Sequence, residues 1–403
     1  MLRMAAEGPW LTIIGIGEDG AAGLSSAAHA ALERARIVTG APRQLALLPP
    51  LKAELLTWPV PFDDGVAPLL ARRGEPVVLL ASGDPFWFGA GASITRHLYP
   101  GEWIAHPAPS SFSIAAARLG WSLQDVVCHG LHAAPLARLR RDLAPGGRAI
   151  LLLRDGAAVG ELATYLVEAG FGASTLYVME ALGGPRERIR AVRADAYAWD
   201  DVAHPVAAGI AMAGDGEVMP RANGIADSWF EHDGQITKRP VRALTLSALA
   251  PRPGETLWDI GAGSGSIAIE WLISHPRMQA IAFEADPVRA ARARANAARL
   301  GVDRLSVIEG RAPAILEGRN RPDAIFVGGG LSEALLEAIL GLPGERTRLV
   351  ANAVTLESEA LLDQWHARLG GELLRIEMAS ATPLGTRRGW KASYPLVQWS
   401  VTL

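Results

Sequence analysis

The chain has 403 residues, of which 49% are apolar and 20% charged, and its formal net charge is −3. That balance excludes a disordered chain, gives no global attraction to nucleic acid, and at this length favours two domains of about 200 residues each. A single cysteine, Cys128, excludes an internal disulfide and a cysteine metal cluster and fits a reducing cytoplasm.

The opening MLRMAAEGPW lacks the apolar core of a signal peptide, so export is not expected and the cytoplasm is. The next stretch, LTIIGIGEDG, reads as a strand running into a glycine loop. Gly15, Gly17 and Gly20 spell G-x-G-x-x-G, the fingerprint of a dinucleotide loop. Glu18 and Asp19 lie inside that loop and would repel a pyrophosphate, and the following strand IVTG ends without a carboxylate for a ribose, so dinucleotide binding is rejected. After a helix through Leu32 and the strand IVTG comes VVLLASGDP, where small residues clear space at the carboxyl end of a strand. There Ser82, Gly83 and Asp84 are a candidate ligand site, with Asp84 read equally well as a cap above Pro85. Cys128, His129 and His132 follow, the histidines being structural or acid–base groups. The run LARLRRDL, with Arg138, Arg140 and Arg141, reads as an exposed helix face. AILLLRDG, TLYVMEALG and HPVAAGIAM complete an alternation of strands and helices that predicts an α/β first domain, mostly parallel, over residues 1–213. Its longest apolar runs are strand-length, far short of a bilayer span.

Residues 214–235 are polar and turn-rich without periodicity and read as a linker, leaving residues 236–403 as a second domain. A helix is predicted from about Arg239, ended by Pro251 and Pro253. Then comes LWDIGAGSGSIAIE, an apolar strand that delivers Asp259 into a loop of Gly261, Gly263 and Gly265 before a helix. The next strand ends in Glu284, about 20 positions on, where a carboxylate can accept both ribose hydroxyls. The loop spacing is G-x-G-x-G rather than G-x-G-x-x-G. It therefore favours S-adenosylmethionine, whose ammonium group Asp259 is placed to meet. Asp286 and Pro287 start the next helix. LSVIEG, DAIFVGG, TRLVANAV, ELLRIEMAS and YPLVQWSVTL add strands of a doubly wound sheet with antiparallel last members. Arg311 and Ala312 are candidate neighbours of an adenine ring. Gly328, opening the Gly-Gly-Gly run after the fourth strand, makes room for a broad flat substrate. Histidines are scattered without metal-ligand spacing, so no metal site is expected.

These motifs resemble two known families that together cover nearly the whole chain. GIGEDG, ASGDP, PAPSSFSIAAARLGW and LYVMEALGGPRERI resemble the tetrapyrrole methylases, a fold of two α/β lobes. ITKRPVRALTLSALAPRPGE, WDIGAGSGSIAIE, EGRAP and DAIFVGGG resemble the class I, Rossmann-like methyltransferases of cobalamin synthesis. In this order they resemble the fused, decarboxylating C-methyltransferases of corrin ring assembly. The resemblance implies one S-adenosylmethionine per domain and methylation of precorrin-6B at carbon 5 by the first domain. The second domain would methylate carbon 15 and remove the acetate carboxyl on carbon 12; a cobalt-containing substrate is the alternative. It implies a small-molecule tetrapyrrole partner, no nucleic acid or membrane, and a homo-oligomer. It also places Ser82, Gly83, Asp84, Ser110 and Ser111 around the first cofactor and the Gly15 loop at the macrocycle entrance. Lys238 and Arg242 fall at the second site's mouth, as contacts to substrate carboxylates. One departure is that the family's serine before His-Gly is Cys128 here. A dehydrogenase would need the dinucleotide spacing that the second loop lacks. A nucleic-acid methylase would need an N-P-P-[FYW] run after DAIFVGGG, which is missing.

Overall fold

A computed structural model describes residues 8–344 and 346–403. The chain divides into two compact units, one of residues up to 134 together with 142–217, the other of Pro135–Arg141 and Val218–Leu403. No helix among the described residues is long and apolar enough to cross a membrane.

In the first unit, β1 (Leu11–Ile16), β2 (Ile37–Gly40), β3 (Glu54–Thr57), β4 (Val77–Ser82) and β5 (Trp103–His106) form a parallel sheet in the order β3-β2-β4-β1-β5. Leu11, Ile13, Val77 and Leu79 enter one apolar cluster, and Ile14, Ile16, Val78 and Leu80 the other. A strand apolar on both faces must be covered on both faces, which is why these runs read as continuous rather than alternating. A second sheet contains β6 (Val127–Gly130), β7 (Arg148–Leu153), β8 (Thr175–Glu180), β9 (Arg188–Arg193) and β10 (Val206–Ala211), in the order β6-β7-β10-β8-β9. The expectation of mostly parallel strands fails in this lobe. Only β6 and β7 run parallel, whereas β10 is antiparallel to β7 and β8, and β8 to β9. The last strand in sequence is thus the central one. Its small residues suit that place: a Cβ on Gly209 would stand 2.6 Å from Leu119 of the helix Ser111–Leu119.

The second unit holds β11 (Thr256–Ile260), β12 (Gln279–Glu284), β13 (Ser306–Glu309), β14 (Ala324–Val327), β15 (Arg348–Ala353), β16 (Glu372–Ile376), β17 (Ala379–Leu384), β18 (Arg387–Ala392) and β19 (Leu396–Thr402). Seven of these form one sheet, β13-β12-β11-β14-β15-β19-β16, parallel from β13 to β15 and antiparallel where β19 joins β15 and β16. β17 and β18 pair as a separate hairpin. Leu257, Phe326 and Val350 face one apolar cluster, while Trp258, Ile260, Ile325 and Val327 face the other. Both faces are therefore covered, as a doubly wound sheet requires.

Three expectations are corrected here. Residues 214–235 are not a free linker, because Met219, Ile225, Trp229 and Phe230 are buried in the second unit's core. Arg242 does not reach a substrate: it lies on the helix Arg239–Leu249 with no exposure to solvent. Its Nε donates to Glu270 (2.5 Å), Nη1 to Asp227 (3.0 Å) and the Thr237 carbonyl (2.5 Å), and Nη2 to the Ile225 carbonyl (2.5 Å). Glu270 also accepts from the backbone N–H groups of Gly224 (2.6 Å) and Ile225 (3.2 Å). The run 138–141 is not an exposed helix face either. It lies in a 3₁₀ segment, Leu136–Asp142, counted in the second unit up to Arg141, with Leu139 buried, Arg140 over the Trp229 ring and Arg138 paired with Asp303 at 2.8 Å.

Removing one partner of a fully buried ion pair strands the other charge. Glu270→Ala should therefore lower the second unit's unfolding free energy by about 3–5 kcal/mol in urea titrations. A change within about 0.5 kcal/mol, the range of ordinary surface substitutions, would contradict this account.

Candidate functional site

In the second unit the parallel register brings four strand ends side by side. Ile260 pairs with Phe283 and with Val327, and Glu284 pairs with Glu309. The glycine loop after β11, Glu284 after β12, Gly310–Arg311 after β13 and Gly328–Gly330 after β14 therefore share one edge. This is the carboxyl edge, where open α/β sheets bind ligands.

Gly261 has φ +72°, and a Cβ there would lie 2.7 Å from the Gly329 backbone, so the two loops pack main chain to main chain. Gly263, at φ +57°, has open space above it, the nearest atom being the Gln235 carbonyl oxygen at 3.8 Å. Gly265 opens the helix Ser266–Ser274 at φ +76°, and a Cβ there would stand 3.1 Å from Ala293 Cβ. Glu284 is buried, and its two carboxylate oxygens accept from the N–H groups of Gly263 (2.7 Å) and Asp286 (2.9 Å). That fixes the loop against β12 and leaves each oxygen further acceptor capacity. Asp259 is 1% exposed. Its Oδ2 accepts from Ala268 N–H at 3.1 Å, whereas Oδ1 has no hydrogen-bond partner, and neither does the buried Ser264 hydroxyl. Burial, with help from Glu284, pushes the Asp259 carboxyl up to about 7. Unanswered buried polar atoms beside a glycine cradle fit a loop that meets a polar, cationic ligand end.

The helix Pro287–Arg299 holds the chain that leads to this loop. Arg289, Arg292, Asn296 and Arg299 recur at helical spacing. Arg299 donates to the Trp229 carbonyl (2.5 Å) and Arg289 to Asp233 (2.9 Å) and Gln235 (2.6 Å), while Arg292 pairs with Asp233 (3.1 Å). The Gln235 N–H, then Arg292 and Arg289, hold Asp233 at about 2. Asn296, with no exposure, donates to the carbonyls of Glu231 (2.9 Å) and Ser264 (3.0 Å) and accepts from Glu231 N–H. Asn296 joins the strap to the glycine loop, a role that the sequence reading missed. The i, i+3, i+7 pattern of polar residues on one helix face was the available signal. Lys238 is exposed at the end of the strap, with Nζ 3.4 Å from the Gly234 carbonyl. Arg311 is exposed, and Ala312 is half-buried against the core.

The first unit contains a cleft of about 680 Å³. Ser82, Gly83, Asp84, Ser110 and Ser111 all line it. Gly83 has φ +57°, and its carbonyl lies 1.9 Å from where a Gly15 Cβ would stand. Gly15 is thus a buried strand residue that permits close packing, not part of the cleft wall; Gly17 and Glu18 line it instead. Asp84 Oδ1 accepts from Phe86 N–H (2.9 Å), which makes it a turn cap with one oxygen to spare. Ser110 caps the helix Ser111–Leu119 through Ser113 N–H (3.1 Å) and bonds the Ser113 hydroxyl. Ser82 accepts from Arg43 (2.9 Å) and Gln44 (3.0 Å). Trp87 and Phe88, which pack against Phe112, add an aromatic wall. His129 bonds Asp142 at 2.9 Å, whereas His132 lies on the cleft wall.

A family model described as Tetrapyrrole (Corrin/Porphyrin) Methylases matches residues 10–197, and one described as Precorrin methyltransferase domain matches residues 228–403. A protein of Sinorhizobium sp named precorrin-6Y C(5,15)-methyltransferase (decarboxylating) is 51% identical over 98% of this chain and 96% of its own. A Mycobacterium tuberculosis (strain CDC 1551 / Oshkosh) protein of the same name is 43% identical over 97% of this chain and 99% of its own. A Salmonella typhimurium protein named cobalt-precorrin-6B C(15)-methyltransferase (decarboxylating) is 31% identical over 40% of this chain and 85% of its own.

The raised Asp259 carboxyl has a consequence for the ligand-free protein. A folded-state value of about 7 against an ordinary 3.8 means that this group's contribution is complete below about pH 4 and is lost as pH climbs to about 7. Urea titrations of ligand-free protein should show the second unit weakening across that window relative to Asp259→Asn, by about 1.4 kcal/mol per pH unit at most. Parallel pH profiles for the two proteins would contradict it.

Proposed function

Because the chain belongs to the precorrin-6Y C(5,15)-methyltransferase (decarboxylating) family, we propose that its units divide two methylations of precorrin-6B (precorrin-6Y) between them. The first unit methylates carbon 5. The second methylates carbon 15 and removes the acetate carboxyl on carbon 12, giving precorrin-8 in cobalamin biosynthesis. The observation that carries this reading is a cleft of about 680 Å³ in the first unit and a glycine-rich carboxyl edge of a parallel sheet in the second, in a chain matched by one methylase family over each half. The Salmonella relative adds support. Its name pairs carbon 15 methylation with decarboxylation in a protein matching only 40% of this chain, so those two steps fit within one unit.

S-adenosylmethionine, one per unit in this reading, supplies a methyl group on a positively charged sulfur. Transfer to carbon is an in-line displacement, so positioning can provide most of the acceleration and no protein nucleophile is required. In the second unit, Asp259 answers the ammonium end, Gly261, Gly263 and Gly265 admit the ligand, Glu284 takes the ribose, and Arg311 and Ala312 flank the adenine. Gly328 leaves room for the macrocycle above the methyl, and Lys238 meets a substrate carboxylate. In the first unit, Ser82, Gly83, Asp84, Ser110 and Ser111 border the cofactor; the hydroxyls already engaged by Arg43, Gln44 and Ser113 shape the wall, while Gly83 and the spare Asp84 oxygen remain for contact. The pyrrolic framework provides the attacking carbon. It also accepts the electron pair of the breaking bond when carbon dioxide leaves, so the substrate is its own electron sink. The same footing supports a homo-oligomer with a small-molecule partner and neither nucleic acid nor membrane.

Mass spectrometry after anaerobic incubation with precorrin-6B and S-adenosylmethionine tests the division. The wild-type chain should add two methyl groups and lose one carboxyl. Gly263→Arg, which fills the open space over the second loop, should add one methyl and retain the carboxyl; decarboxylation by that variant would refute the assignment.

Cofactor affinity gives a second check. A cation bound beside Asp259 favours the ionised carboxylate, so affinity at the second site should rise as pH approaches about 7. Calorimetry of Asp259→Asn should show weaker binding without that slope; an unchanged slope would remove Asp259 from the site.

A further inference from the structure

A pair of cations meets on Glu18, which lines the first unit's cleft: Arg43, itself in the wall, and Arg186, which reaches Glu18 from outside the lining residues. Glu18, 8% exposed, accepts from two guanidiniums. One is Arg43, from the helix Pro42–Ala46, which also donates 2.9 Å to Ser82. The other is Arg186, from the turn between β8 and β9, 3.2 Å away through Nη2. The two arginines thus come from the two lobes of the unit and meet on one carboxylate. Their spacing is held by backbone as well, since a Cβ on Gly184 would stand 2.5 Å from Glu18 Cβ and 2.7 Å from its carbonyl oxygen.

Two cations on one anion leave an excess positive charge beside a cleft whose wall includes Trp87, Phe88, Met179 and Leu182. The one other carboxylate among the lining residues, Asp84, makes no hydrogen bond to either arginine. Asp84 is turned to the Phe86 N–H, and His204, lowered by burial and then by Arg43, brings no anion. Arg43 itself is pushed down by burial and by Arg186. Arg186 is 61% exposed at its side chain, and its Nε and Nη1 make no hydrogen bond to a described residue. A guanidinium fixed at one end with free N–H groups at the other matches the planar, two-oxygen geometry of a carboxylate.

We propose that Arg43 and Arg186 form a carboxylate clamp in the first unit, taking an acidic side chain of the tetrapyrrole while Glu18 acts as the internal counter-ion that positions both guanidiniums. This rests on the reading that the first unit methylates a macrocycle bearing carboxylates. It places the ring's acidic rim at the Glu18 loop and its apolar face against Trp87 and Phe88.

The test uses the full chain with Arg186→Gln, a largely exposed position that folding tolerates, and with Arg43→Gln. KM is read for precorrin-6B and for S-adenosylmethionine separately, following carbon 5 methylation by mass spectrometry. Loss of one charge-assisted pair should raise KM for the tetrapyrrole about ten-fold or more in both variants, and in Arg186→Gln, which touches no cofactor-bordering residue, KM for the cofactor should stay in place. Unchanged tetrapyrrole KM in Arg186→Gln, or equal losses for both ligands, overturns the clamp. Should the wild-type chain yield no carbon 5 product, the functional reading fails by itself. Fluorescence titration with uroporphyrin III, a tetrapyrrole rich in carboxylates, then decides the clamp. Wild-type binding weakened in Arg186→Gln upholds it, and equal or absent binding overturns it.

Discussion

A guanidinium sealed from water must have its N–H groups answered by the protein, and that demand organises the second unit around Arg242. Glu270 supplies the charge, Asp227 a second carboxylate, and the carbonyls of Ile225 and Thr237 the remaining acceptors. Because Glu270 also takes the N–H groups of Gly224 and Ile225, residues 224–242 can follow only a narrow set of paths. That path sets the Gln235 carbonyl 3.8 Å from where a Gly263 Cβ would stand and leaves Lys238 exposed, its Nζ on the Gly234 carbonyl. A buried ion pair is a weak source of net stability, since desolvation offsets most of its attraction. Its effect here is geometric, fixing where a polar segment runs.

The two units build their candidate sites by different means. The second uses the edge of a parallel sheet, where four strand ends and tight glycine turns present backbone close to the ligand. The first uses a cleft lined from two sheets, one parallel and one mostly antiparallel, with hydroxyls, aromatic rings and Arg43 along its walls. With a net charge of −3 overall, attraction for an acidic macrocycle must be local, and the positions of single cations matter more than their number.

Much of the second site was legible because its signals are short-range. The strand, the glycines at 261, 263 and 265 and the acid at the next strand end lie within about 30 residues, and each follows from a local backbone need. Arg242 was misread for the opposite reason. A charged residue at a helix start looks like a solvated face, and its burial depends on Glu270, 28 positions away. Glu18 was read as an acid facing a phosphate, and its partners Arg43 and Arg186, which come from other elements, leave no trace in the loop itself. Strand direction in the second lobe was likewise hidden. An apolar run such as VAAGIA records burial on both faces, not which neighbours it lies between or which way they point. The hairpin of β17 and β18 carries mostly exposed residues, so no apolar alternation announced it.

The row of Arg289, Arg292, Asn296 and Arg299 bears on how this chain may be cut. These side chains fasten residues 229–235, while Met219 and Ile225 sit inside the core those residues lead from. A fragment begun at residue 228, where the second family match starts, would discard both core residues and the backbone groups that answer Glu270. One begun at Val218 keeps them but still leaves behind Pro135–Arg141, whose Arg140 covers Trp229. The boundary that sequence similarity draws therefore cuts through the second unit's own core, and a fragment should be begun upstream of it.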